Sequence, residues 1–111
     1  MEYTELTEDE RILLVGLTRM VAGADHAFSD QEKEEMVQLA NKLGEEAFKQ
    51  AAAAAGERLA TRESMDAAAR AVSRPEAREL IFTSLQDMAV ADEVAPEEAE
   101  LINWLADLWD L

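Results

Sequence analysis

Met20–Met36, MVAGADHAFSDQEKEEM, decides how this chain is read, because Met88–Ile102, MAVADEVAPEEAELI, says nearly the same thing again. Each stretch closes an apolar run with Ala-Asp, passes a short turn, and opens an amphipathic run with a Glu. With one residue inserted in the first turn, Leu13, Leu14, Val21, Ala22, Ala24 and Asp25 fall opposite Leu80, Ile81, Met88, Ala89, Ala91 and Asp92. Glu32, Met36, Leu39 and Ala40 then fall opposite Glu98, Ile102, Leu105 and Ala106. The expectation is a duplicated helix, acidic turn, helix unit with pseudo-twofold halves at about residues 7–44 and 74–111 and a helical connector at 45–73.

Working outward, every segment has helical grammar. Thr7 and Glu10 form a capping-box pattern ahead of Ile12, Leu13, Leu14, Val15, Leu17, Met20 and Val21, a run apolar on almost every side and so expected at the centre. Ser29 and Glu32 repeat the pattern before Met36, Leu39, Ala40 and Leu43, with Gly44 as the stop. A third helix is expected from Glu45 to Ala55, ending at Gly56, with the Ala51–Ala55 run packed closely on a neighbour. A fourth spans Thr61 to Val72. Ser73-Arg74-Pro75-Glu76 reads as a further capping box opening a fifth, whose core stripe is Leu80, Ile81, Leu85, Met88 and Ala89. Pro96 starts a sixth through Leu101, Trp104, Leu105, Leu108 and Leu111. No segment alternates with period two, so the fold class is all-α, a compact bundle of six to seven helices in one domain, 1–111.

The chain's 111 residues suffice for a single hydrophobic core. With no Cys there is no disulfide framework and no thiolate metal centre. The first residues lack the pattern of a secretory signal, and no apolar run approaches the ~20 residues of a membrane span; the expectation is a cytoplasmic protein without direct membrane insertion.

Twenty-five acids against 10 bases give a net charge of -15. Residues 1–41 contribute -7, residues 42–78 contribute +1, and residues 79–111, with nine acids and no base, contribute -9. Such a field repels phosphate backbones, so nucleic acid is not an expected partner; a divalent cation or a protein with a basic surface is.

The two quoted blocks resemble the paired signature of the TerB-like domain of tellurite-resistance proteins and of the N-terminal part of a membrane-anchored DnaJ-type co-chaperone. In that family an apolar helix ends in Ala-Asp, commonly followed by Gly, with Ser or Pro shortly before a Glu that opens the next helix. Asp25, Ser29 and Glu32 match in the first copy and Asp92, Pro96 and Glu98 in the second, while His26 and Glu93 replace the usual Gly. The resemblance implies a pseudo-symmetric bundle of about seven helices, no catalytic activity, and a role in metal-linked or stress-linked assemblies of bacteria.

Asp25, Glu32, Asp92 and Glu98 are accordingly the candidate metal ligands, hard oxygen donors suited to Ca²⁺ or Mg²⁺, although neither turn has the spacing of an EF-hand loop. The same carboxylates have a purely structural role available, accepting N–H bonds at helix starts and facing the positive end of the macrodipole. His26, the lone His, is expected on the surface, and no catalytic triad can be assembled. Trp109 is the candidate partner-binding residue, with packing at the end of the bundle as the alternative. The expected function is an acidic, non-enzymatic binding module; the alternative is a metal-independent adaptor that takes a partner helix in an apolar groove.

Overall fold

A computed structural model describes residues 2–22, 30–90 and 96–111, with the side chains of 21–22, 30–32, 88–90 and 96–98 outside the description. A 3-10 turn at Tyr3–Glu5 precedes six helices: α1 Glu8–Ala22, α2 Asp30–Leu43, α3 Glu45–Arg58, α4 Arg62–Ala71, α5 Pro75–Val90 and α6 Pro96–Trp109. The described residues contain no strand, as the absence of period-two patterning requires.

Helix α1 is the axis of the bundle and touches each of the other five. Ile12, Leu13, Leu14, Val15 and Leu17 are buried on successive sides of it, which is why its apolar residues do not confine themselves to a stripe. Its start is capped reciprocally: the Thr7 N–H donates to Glu10 Oε1 at 2.8 Å, and the Glu10 N–H donates to Thr7 Oγ1 at 3.3 Å. Buried Thr18 satisfies its hydroxyl within the helix by donating to the Leu14 carbonyl at 2.7 Å.

The alanine run packs as expected. Ala51 and Ala55 are buried, and Ala55 lies beside Gly16 of α1, where an added Cβ would stand 2.7 Å from Leu59 Cδ1 and 3.4 Å from the Ala55 Cβ. Two small faces thus let α1 and α3 approach closely. Gly44 ends α2 with φ +96°, a conformation an L side chain rarely adopts.

Two boundaries depart from the sequence reading. Gly56 does not end α3: the helix continues to Arg58, because one exposed Gly costs only about 1 kcal/mol and the following residues still close their bonds, Leu59 N–H reaching the Ala55 carbonyl. The Ser73–Glu76 box does not form either. Helix α5 begins at Pro75, so Arg74 occupies the cap position, and its carbonyl accepts from the Arg78 N–H at 3.0 Å. Its side chain is committed elsewhere, as described below. In α4, by contrast, Thr61 and Ser64 cap reciprocally.

Burial coincides at some of the paired positions and not at others, since buried Ile12 and Leu17 fall opposite exposed Glu79 and half-buried Ser84. Glu10, Leu14 and Thr18 in α1 are buried, as are Ala77, Ile81 and Leu85, their counterparts in α5; Leu39 and Leu43 in α2 are buried, as are Leu105 and Trp109 in α6. Leu80, placed opposite Leu13, is only half-buried, and Leu111 is exposed. Helix α6 ends in a left-handed residue, Asp110 at φ 56°, and the Leu111 N–H closes back on the Ala106 carbonyl at 2.9 Å, a Schellman geometry made without glycine.

Candidate functional site

Residues 23–29 and 91–95 lie outside the described residues, and Asp25 and Asp92 with them. Glu32 and Glu98 are each the third residue of their helix, α2 and α6, a position where a carboxylate meets the positive end of the macrodipole; their side chains are not described. Among the described residues no three His, Cys, Asp or Glu side chains gather as a metal-binding group.

Trp109 is 4 % exposed. Its Nε1–H donates to the Ala69 carbonyl at 2.9 Å, and the Arg78 guanidinium stands 5.6 Å from its ring centroid. It joins α6 to α4 as a core residue, the packing alternative, and offers a partner little surface. Trp104 is the partly exposed indole, with the Arg62 guanidinium 4.7 Å above it.

The strongest polar constellation among the described residues surrounds Glu10, which is 5 % exposed. Arg74 Nε donates to Glu10 Oε2 at 2.9 Å and Arg74 Nη2 donates to Oε1, a bidentate fork. The same Nη2 reaches the Glu5 carbonyl at 3.2 Å. The Arg74 hydrogen bond holds the Glu10 carboxyl below the usual carboxylate range, against the opposing effect of burial, with the Thr7 N–H adding to the depression.

This pair borders a cleft of about 520 Å³. Buried Ile12 and Val72 and half-buried Leu59 and Ala68 give it an apolar lining. Arg58 also borders it, paired loosely with Asp9 at 3.7 Å, both side chains largely in solvent. Sequence reasoning missed this site. Glu10 was accounted for by its cap, and nothing in spacing links it to a residue 64 positions away; the one available signal was an Arg immediately before Pro75, where a Ser, Thr or Asp would have capped better.

The described ion pairs, Lys49–Glu45, Arg58–Asp9, Arg70–Asp66 and Arg74–Glu10, all lie within residues 1–78. Glu79, Asp87, Glu100, Asp107 and Asp110, from the base-free segment, are exposed.

Comparison of the chain with protein-family models, with curated proteins and with solved structures found no match in any of the three. Among the described residues no helix is long and apolar enough to cross a membrane.

Proposed function

We propose that this chain is a TerB-like acidic binding module without catalytic activity, which engages a basic protein surface and holds a divalent cation, Ca²⁺ or Mg²⁺, at its duplicated Asp/Glu turns in a bacterial tellurite- or stress-response setting. The observation that carries the reading is the segregation of charge: nine acids and no base in residues 79–111, with every described ion pair formed elsewhere. Like charges close together repel, and a cation or basic partner relieves that repulsion. The reading takes the two Ala-Asp turns as a duplication, which makes Asp25 and Asp92, Glu32 and Glu98 equivalent pairs.

Calorimetric titration with Ca²⁺ and with Mg²⁺ tests the cation, on the native chain and on Asp25→Asn and Asp92→Asn. Saturable binding lost in both variants supports the reading; heats that match simple dilution at equal ionic strength overturn it. Capture of a basic partner that weakens with added salt supports the protein-binding half.

A further inference from the structure

The cleft beside Glu10 has, among its described lining residues, none that the function proposed above uses. Its volume, about 520 Å³, falls in the range of small-molecule sites, and its lining joins an apolar surface to a few polar groups, the composition such sites have. Four observations specify what chemistry it would take.

The first is Arg74. Glu10 and the Glu5 carbonyl occupy its Nε and Nη2, which fixes the plane of the guanidinium, and among the described residues no hydrogen bond is made by its Nη1. A guanidinium held in this way is a pre-oriented donor. The second is Arg58, whose hold on Asp9 at 3.7 Å is long and solvent-exposed, so a better-placed acceptor displaces it at small cost.

The third is a rim of polar side chains. Thr7 caps α1, Ser64 lies in the first turn of α4, and Ser73 and Arg74 lead into α5, and all four residues line the cleft. The last residues of α3 and α4, Arg58 and Ala71, border the same space, so helix starts and helix ends both meet it and the macrodipoles favour neither sign of charge; what these residues supply is hydroxyl and guanidinium donors. The fourth is the apolar lining itself, Leu59, Ala68 and Val72, which has no use for a bare inorganic anion.

We propose that this cleft binds a small amphipathic carboxylate, its carboxylate between Arg58 and Arg74 and its hydrocarbon or aryl body on Leu59, Ala68 and Val72. The protein's net charge of -15 does not forbid this. Remote charges are screened beyond about 8 Å at physiological salt, and the two carboxylates that line the cleft, Asp9 and Glu10, are each paired with one of its arginines.

The probe is 2-naphthoate, followed by amide chemical shifts in a ¹H–¹⁵N spectrum, with 2-naphthylmethylammonium as its cationic counterpart. Saturable shifts centred on Leu59, Ala68, Val72 and Arg74 are expected with the carboxylate and absent with the ammonium. Arg58→Ala is expected to weaken binding about ten- to a hundredfold, the loss of one charge-assisted hydrogen bond. Ala71→Trp, at an exposed cleft-lining position, is expected to abolish binding while circular dichroism stays native.

Equal binding of the ammonium, an unchanged affinity in Arg58→Ala, or no saturable shift in the cleft each overturn the proposal, as does a cleft that answers an amphipathic helical peptide and not the carboxylate. None of these readouts involves Asp25 or Asp92, so this site and the acidic turns stand or fall separately.

Discussion

Arg74 grips Glu10 in a bidentate fork across 64 residues of sequence, joining the start of α1 to the segment that leads into α5. One carboxylate thus closes a local cap with Thr7 and a long-range clasp at once, and the clasp fixes the two leading helices of the proposed repeat against each other.

The clasp makes stability depend on acid. Glu10 titrates below its ordinary value of 4.5 in the folded chain, so the folded state binds fewer protons there than the unfolded one. Its contribution is complete above the unfolded value and is lost as pH falls through the lowered folded value. Glu10→Gln is expected to cost about 1–2 kcal/mol at neutral pH, and the difference from native should shrink as pH falls below 4.5, measured by urea unfolding across that range. In Arg74→Met the Glu10 carboxyl is expected to titrate higher than in the native chain, read by ¹³C NMR.

The three described helix-associated glycines separate by their surroundings. Gly44→Ala is expected to destabilise by about 1–3 kcal/mol, because φ +96° strains any side chain. Gly56→Ala, in open space inside α3, is expected to stabilise by about 0.5–1 kcal/mol through the unfolded state and helix propensity. Gly16→Val is expected to cost about 1–3 kcal/mol, since Leu59 and Ala55 stand where its Cβ would go. Denaturant midpoints at constant slope check all three.

The two indoles have opposite roles. Trp109→Ala removes a buried ring and its bond to Ala69, and a loss of about 3–5 kcal/mol is expected. Trp104→Ala, at a half-buried ring under Arg62, is expected to cost clearly less. In Trp104→Phe the remaining fluorescence should be blue-shifted, reporting the buried Trp109 alone.

How far the sequence foretold this molecule depends on the range of the interaction. The Thr7–Glu10 cap, the all-round burial of α1, the Gly44 stop and the close-packed alanines of α3 are local or periodic, and each is where the pattern puts it. Gly56 misled because a weak propensity was set against a helix already fixed by the burial of Ala51 and Ala55. Ser73 misled because a cap competes with geometry set by Pro75, which makes Arg74 the residue before the helix. Neither the Glu10–Arg74 clasp nor its cleft was legible, since the clasp joins residues 64 positions apart and the cleft arises where four separate segments converge. The carboxylates of the two turns were the most conspicuous sequence signal, and Asp25 and Asp92 lie outside the described residues.

The central claim, a cation held by paired acidic turns, is tested most directly by thermal unfolding in millimolar Ca²⁺ or Mg²⁺ against sodium chloride of matched ionic strength, for the native chain, Asp25→Asn and Asp92→Asn. A ligand that binds only the folded state at a hundredfold excess over its Kd adds about 2.7 kcal/mol. The account predicts a rise in Tm beyond the salt control that both substitutions remove. A Tm that follows ionic strength alone, identical in the native chain and both variants, contradicts it.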